Sequence, residues 1–416
     1  MFFIYQILII LLIIIAPFII FFRLLKKKED KIRFKEKFCF FTKKRKKGKL
    51  IWFHGSSVGE ILSIVPLIRN YEKNKSINQI LITSSTLSSS KVLKKYNFKK
   101  TIHQFYPIDN FFLINKFLRY WRPVIAIFID SEIWPCMFKK LNHKKIPLIL
   151  LNARITKKTF NKWIKFKKFS EMVFSKITIA YPQNLETQNY LKKLKIKRVN
   201  YLGNLKFAET NEKNFEKINS KLEKEFNNKK VWVASSTHQG EEIFCAKVHI
   251  ELKKKIKNLI TVIIPRHVHR SKNIVSDIKN LNLKVSLHSS KVKNIKNTDI
   301  YIVDTFGETK KFHKIGYSVF LGGSIIDKGG QNPLEAARFG AKIFHGPYLS
   351  NFKDVYKLLK SLNVSKKIYT PRDLSKSIIF KKNEVIGKKI KNIGKKILKK
   401  TIKELDRFII DEYKKT

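Results

Sequence analysis

A chain of 416 residues can hold two ordinary domains with separate cores, and an apolar fraction of 44% excludes a disordered polymer. The formal net charge of +57 has two readings: an anionic partner such as nucleic acid, a phospholipid surface or a phosphorylated substrate, or mutational bias, since Lys, Ile, Asn and Phe abound throughout as an A/T-rich genome would produce. Cys39, Cys136 and Cys245 form no spaced pair, so neither a zinc site nor a disulfide framework is indicated, and a reducing compartment is expected.

Met1 to Phe22 are almost wholly apolar, with Tyr5, Gln6 and Pro17 interrupting. About 20 such residues suffice to cross a bilayer as a helix. Arg23, Lys26, Lys27 and Lys28 follow at once, which predicts a cytoplasmic main body. A cleaved signal peptide would want a basic start and a small-residue cleavage site. Neither is present, so residues 1–22 are expected to be an uncleaved anchor, spanning the bilayer or lying in one leaflet.

From Lys49 on, apolar runs of strand length alternate with amphipathic, lysine-bearing helical stretches. The first set of expected strands is Leu50–His54, Ile80–Ser84, Val124–Asp130, Pro147–Asn152, Ile177–Tyr181 and Val199–Leu202. After a helical, charged interval from Glu209 to Lys229 the second set is Val231–Ser235, Leu259–Pro265, Val285–His288, Ile300–Val303, Val319–Leu321, Ile343–Phe344 and Lys367–Tyr369. Nearly continuous apolar strands separated by helices predict α/β structure, with parallel sheets covered on both faces. Two sets predict two doubly wound domains, 30–207 and 208–416, hinged near Gly203–Thr210. Beyond Lys376 the chain reads as a closing helix, with Ile386, Ile390, Ile393, Ile397 and Leu398 on one face.

Ligands in such sheets gather at the carboxyl ends of strands, and the unusual residues fall there. Leu50–His54 runs into GSSVGE, where Gly55 and Gly59 permit a sharp turn and Glu60 opens a helix; a carboxylate there suits a general base or simply a helix N-terminus. Ile80–Ser84 leads into STLSSS, a turn able to bind an anion or to cap a helix. DSEIWPC places Glu132 beside Trp134, LNAR supplies Arg154, and GNLKF supplies Lys206. In the second half, the small residues and free amides of ASSTHQGEE suit a phosphate, Pro265-Arg266-His267 offers a fixed cation, and Phe306-Gly307-Glu308 offers a cradle for a base. GGS (Gly322–Ser324) precedes DKGGQNPLEAARFGAKIFHGP. In that stretch Asn332 reads as an N-cap, Pro333 as the first helical residue, the helix start as a phosphate site, and Glu335 as a ribose partner. No P-loop or dinucleotide fingerprint is present.

The ordered set SVGE, DSEIWP, LNAR, GNLKF, STHQGEE, PRH, GE, GGS and GGQNPLE resembles the bacterial 3-deoxy-D-manno-octulosonic acid (Kdo) transferases, from about Lys49 to Tyr356. The resemblance implies a GT-B fold, two Rossmann-like domains facing across a cleft, and Kdo transfer with inversion. The implied donor is CMP-Kdo and the implied acceptor the tetraacylated lipid A precursor (lipid IVA), at the inner face of the cytoplasmic membrane. By position Glu60 matches the catalytic base, and Glu132 and Lys206 match residues that assist the transition state. Pro265, Arg266, Phe306, Gly307, Glu308, Asn332, Pro333, Leu334 and Glu335 match CMP-binding segments. An anionic inner-membrane surface is an implied partner, nucleic acid is not, and no metal is expected. Gly55, Cys136, Phe306 and Gln331 depart from the alanine, asparagine, methionine and histidine frequent in the family. Two rival readings remain at this stage, a GT-B transferase using a UDP-sugar and a non-enzymatic polybasic membrane protein.

Overall fold

The computed structural model describes residues 1–208, 218–290 and 295–411. By contact the chain divides into two compact units, Met1–Thr210 with Gly394–Thr416, and Asn211–Ile393. The expected hinge falls partly outside the described residues, as does the start of the charged interval, of which Ser220–Asn227 is helical.

In the first unit, β1 (Leu50–His54), β2 (Gln79–Ser84), β3 (Thr101–Phe105), β4 (Ile125–Ile129), β5 (Leu148–Ala153) and β6 (Ile179–Pro182) form one parallel sheet in the order β3-β2-β1-β4-β5-β6. That is the doubly wound order, and it reverses between β1 and β4. The strands LIWFH and IAIFI are buried at every position because helices cover both faces. Trp52, Phe117, Trp121, Phe128 and Phe138 are 0% exposed in this core, each contributing about 1.5–3 kcal/mol by leaving water. The second unit holds β7 (Lys230–Thr237), β8 (Leu259–Pro265), β9 (Val285–Leu287), β10 (Ile300–Ile302), β11 (Ser318–Leu321), β12 (Lys342–His345) and β13 (Ser365–Lys367). These form a second parallel sheet, β13-β12-β11-β7-β8-β10-β9, which reverses between β7 and β11.

Three strand readings change. The expected Lys367–Tyr369 shifts to Ser365–Lys367. Thr101–Phe105 pairs with β2 although its sequence, TIHQF, is half polar. It is held from outside by the buried Glu36, whose carboxylate accepts from the Phe105 amide (2.8 Å) and from Arg33 (2.8 and 2.9 Å). Val199–Leu202 is not a strand, and only Val199 bridges to Ala180.

Two helices frame the first unit. Helix α1 (Phe2–Leu25) has a mean hydropathy of 3.1 and is long and apolar enough to cross a membrane. The carboxyl-terminal helix, Glu384–Asp411, buries Ile390 and Ile397 as its periodicity predicts, but Ile386, Ile393 and Leu398 only partly. From Gly394 onward it packs on the first unit, where Asp406 accepts from Tyr71 (3.0 Å) and Glu404 from Tyr181 (3.0 Å). Gly394 is needed for this approach, because a Cβ there would stand 1.8 Å from the Phe207 carbonyl oxygen. Gly394→Ala should therefore destabilise the protein by about 1–3 kcal/mol in urea unfolding, and an unchanged midpoint would show that the 205–208 segment yields freely.

Candidate active site

The first sheet's switch point places the ends of β1 and β4 together, and their exits carry acidic side chains. After β1, Ser57 caps helix α2 (Val58–Lys73) by accepting from the Glu60 amide at 3.3 Å. The Glu60 carboxylate returns the contact: Oε1 accepts from Ser57 Oγ and Oε2 from the Ser56 amide, both at 2.7 Å. Gly55 and Gly59 do not have positive φ; Gly55 instead makes room, since a Cβ there would lie 3.1 Å from that of Glu60. Thr86 and Ser89, from the serine-rich turn after β2, donate to the Ser56 carbonyl at 3.3 and 3.0 Å. Thr86 also caps the next helix. These two hydroxyls hold the turn that carries Glu60.

Burial pushes the Glu60 carboxyl up to about 7, against the Ser57 bond and with further help from Glu132 and Asp130. Glu132, after β4, is shifted the opposite way. Burial raises it, but His54 and then the Ser56 and Trp134 donors outweigh that and hold it below the ordinary carboxylate value. Its Oε2 accepts from Trp134 Nε1 (2.9 Å) and faces His54 Nε2 (3.0 Å). His54 is 0% exposed, with Nδ1 2.9 Å from Thr83 Oγ1, which in turn accepts from Trp52 Nε1 (2.9 Å). Nδ1 also lies 3.2 Å from the Thr83 carbonyl. A Glu132 carboxylate can only accept, so the contact at Nε2 is an N–H donated to it.

Asp130 sits at the β4 exit with φ +61°, a left-handed conformation costly for a residue with a Cβ. Burial raises its pKa, and the charges of Lys206 and Arg154 oppose. Lys206 rides a short turn, Leu205–Ala208, fixed by Asn152 Oδ1 accepting from the Leu205 amide and Asn204 Oδ1 from the Lys206 amide, both 2.9 Å. Burial lowers the Lys206 pKa, with Asp130 opposing, Arg154 adding and Glu60 opposing. Glu60, Glu132 and Lys206 therefore belong to one electrostatic group, together with Asp130, Arg154 and His54. His54 was not among the sequence candidates; its one signal was its place as the last residue of β1.

The second unit presents cations at its strand exits. Arg266, exposed after β8, donates its amide to the Thr237 carbonyl (2.9 Å). Burial and then the charges of His267, Arg266, Lys328 and Arg270 hold down the pKa of His238. Of the ASSTHQGEE amides expected to suit a phosphate, that of His238 is taken by Glu241 (2.9 Å), which also accepts from Gly323 (2.7 Å), Ser324 (3.2 Å) and Ile325 (3.1 Å) in the loop after β11. Gly322 is required beside it, since a Cβ would meet the Ser236 carbonyl at 2.5 Å and Glu241 Oε2 at 2.7 Å.

The remaining candidates are placed as follows. Asn332 Oδ1 accepts from the Leu334 amide (3.1 Å), but the helix is only Leu334–Arg338 and Pro333 precedes it. A helix of that length has little macrodipole, so the phosphate role expected of its start lacks its physical basis. Glu335 lies within 3.2 Å of His313 Nδ1 and 3.5 Å of Lys310 Nζ. Burial raises its pKa, and these partners outweigh burial to leave it lowered. Phe306 is 79% exposed, Gly307 has φ +91°, and Glu308 pairs with Lys311 at 2.8 Å. Pro265 and Leu334 are buried. Among the described residues no group of three or more His, Cys, Asp or Glu is placed to hold a metal ion.

Two doubly wound units with charged side chains at their strand exits define an α/β architecture of the GT-B class. A solved UDP-GlcNAc 2-epimerase from Neisseria meningitidis, bound to UDP-GlcNAc, has the same fold, with a TM-score of 0.59 at 13% identity over 87% of this chain and 100% of that one. Residues 32–209 match the family model of the 3-deoxy-D-manno-octulosonic-acid transferases (kdotransferases). Proteins of that name from Rickettsia prowazekii and Rickettsia typhi are 37% and 38% identical to this chain over 370 residues, each alignment covering 88% of this chain and 78% of the relative. The chain belongs to the Kdo transferase family: it is a glycosyltransferase that moves Kdo in lipopolysaccharide biosynthesis.

The elevated Glu60 pKa has a thermodynamic consequence. The folded state holds a proton on Glu60 that the unfolded chain releases near the usual 4.5, so native stability falls as pH rises from there to about 7. Glu60→Gln cannot titrate. Between pH 4 and pH 8 its stability relative to the parent should rise by about 2–3 kcal/mol, read from urea melts. A constant difference would mean that Glu60 titrates normally.

Proposed function

We propose that the chain is an inverting transferase that takes Kdo from CMP-Kdo and attaches it to the lipid A precursor, lipid IVA, at the cytoplasmic face of the inner membrane. The observation that carries this reading is Glu60, a carboxyl pushed up to about 7 at the switch point of the first sheet, with Glu132 held below the ordinary range beside it. A base with a pKa near the working pH can take a proton from a sugar hydroxyl and later release it to water. In the reaction the acceptor oxygen loses its proton to Glu60 and bonds to the anomeric carbon. The bond from that carbon to the CMP phosphate oxygen breaks, and its electron pair leaves with CMP. Attack from the face opposite CMP gives inversion.

Glu132, as an anion, would favour the positive character developing at the anomeric carbon, and Lys206 would set the charge balance around both carboxylates. Arg266, with His238, His267 and Lys328 near it, would meet the phosphate, and Phe306 to Glu308 and Asn332 to Glu335 would line the nucleotide pocket, in line with the family resemblance. Helix α1, followed by Arg23 and Lys26 to Lys28, supports an anionic membrane surface as partner and a cytoplasmic body. The acceptor class fits that setting.

Glu60→Gln should lower transfer from CMP-Kdo by about 10²–10⁴-fold while leaving CMP affinity within twofold or so, since the nucleotide is assigned to other residues. The parent rate should climb with pH through about 7 and then level, whereas the residual rate of the variant should not. Near-normal transfer by the variant would remove Glu60 from the role. Mass spectrometry of the product from CMP-Kdo and lipid IVA reads donor and acceptor directly, and inhibition by UDP rather than CMP would point to a different donor.

Because fixed cations are assigned to the phosphate here, transfer should survive treatment with EDTA. Strict dependence on added magnesium would hand that role to a metal.

A further inference from the structure

The covering of helix α1 is periodic. Tyr5, Ile9, Ile13, Ala16, Ile20 and Leu24 are buried or half-buried, at steps of three and four residues. The opposite face stays open from end to end, with Phe3 72%, Ile14 64%, Phe18 68% and Phe22 60% exposed. Both ends are tied to the first unit. The Tyr5 hydroxyl donates to Asp109 Oδ2 at 2.7 Å. Asp109 is 1% exposed and also accepts from the Cys136 and Met137 amides, both at 2.9 Å, in the first turn of the helix Pro135–His143. At the other end Arg23 Nε donates to Glu29 Oε1 (2.7 Å), which also takes Lys37 Nζ (2.6 Å). The Lys37 carbonyl accepts from the Ile108 amide at 3.0 Å, one residue before Asp109.

Tyr5 and Arg23 are separated by about 27 Å of helix at 1.5 Å per residue, nearly the hydrocarbon thickness of a bilayer, about 30 Å. A helix that crossed the membrane would leave its protein at one end and could not return to it at the other. Here one strip of the first unit holds both ends, and the covered face runs the full length between them.

We propose that α1 does not span the bilayer but lies lengthwise along the first unit in the plane of one leaflet, turning its open apolar face to an anionic phospholipid surface. Cations lie at both ends of the helix: Lys26 to Lys28 follow it, while at its start Lys139 Nζ lies 4.3 Å from the Phe2 ring, and nearby on the body Lys140 Nζ lies 4.3 Å from the Phe111 ring. Phe112, 78% exposed, extends the apolar surface from the body of the unit. A cavity of about 270 Å³ lies between the first turns of α1 and Asp109 to Phe112, with room for part of one acyl chain. The inference rests on the membrane association read above and not on the reaction.

The test uses the full chain on vesicles of phosphatidylethanolamine and phosphatidylglycerol. Phe3→Cys, Leu11→Cys and Phe22→Cys each put a nitroxide on the open face, and the three native cysteines are buried. Depth is read from collision with oxygen against a water-soluble nickel chelate. An in-plane helix places all three labels at one shallow depth. A label at Leu11 near the bilayer centre, with Phe3 and Phe22 shallow, would overturn the proposal, and a chain that fails to bind the vesicles would overturn it together with the membrane reading. Tyr5→Phe in the Phe3→Cys background should loosen the label at Phe3, while in the Phe22→Cys background the label stays as it was. An unmoved Phe3 spectrum would show that the Tyr5–Asp109 bond does not hold the helix. No transfer is measured, so these outcomes stand apart from any failure of the proposed reaction.

Discussion

The chemistry of the first unit turns on a half-buried carboxyl group held by one amide and one hydroxyl. Glu60 accepts one amide and one hydroxyl, and hydrogen bonds to a charged group typically stabilise it by about 1.5–3 kcal/mol each. On those terms alone the side chain would be more acidic than a free glutamate, the more so at a helix N-terminus. It is less acidic, because burial and the neighbouring Glu132 and Asp130 outweigh the donors. Glu132, at the exit of the neighbouring strand β4, shows the balance reversed. It too is desolvated, but two ring N–H groups, from His54 and Trp134, converge on a single oxygen, and the charged form wins. Two carboxylates at one switch point are thus driven apart in proton affinity by what surrounds them.

Glu241 makes the contrast sharper. Like Glu60 it follows a strand exit and stands in the first turn of a helix. Its carboxyl group is 1% exposed and receives four backbone amides, so it fills the nest formed by the loop after β11, even though burial outweighs those donors and raises its pKa. That nest cannot also hold a phosphate. The same local pattern, glycine, short polar residues and a glutamate opening a helix, therefore serves packing in one unit and is suited to proton transfer in the other. The difference lies in how many donors each carboxylate receives and how much of it remains open.

Much of this was legible in the sequence because buried parallel strands are written as unbroken apolar runs. LIWFH and LITVIIP coincide with β1 and β8 residue for residue. What failed to show was decided by partners distant in the chain. TIHQF became a strand because Glu36 and Arg33 satisfy its polar groups from outside the sheet. The histidine of LIWFH looked like part of an apolar run, yet it orients Glu132, 78 residues later. Asn332-Pro333 has the composition of a helix start, and the helix is too short for the electrostatics inferred from it. The GGS loop after β11 carried no assigned role, and Glu241, 82 residues away from Gly323, takes its amides. Local rules located the strand exits; pairings across the sheet decided what each exit can do.

The charge of the chain reads differently once its acidic residues are located. Lysine and arginine number 88 against 31 for aspartate and glutamate. Among the described residues the buried carboxylates are Glu29, Glu36, Asp109, Asp130, Glu241 and Glu242, all 8% exposed or less. Most accept hydrogen bonds that no lysine could replace: Glu36 from Arg33 and the Phe105 amide, Asp109 from Tyr5 and two amides, Glu242 from Arg270 at 3.0 and 3.2 Å. Removing such an acceptor strands buried donors at about 1–3 kcal/mol each, several times the effect of an exposed charge change. The buried carboxylates are thus tied to the interior by the donors they satisfy, while others, such as Glu186, Glu251 and Asp373, lie exposed at the surface, where a charge change is cheap.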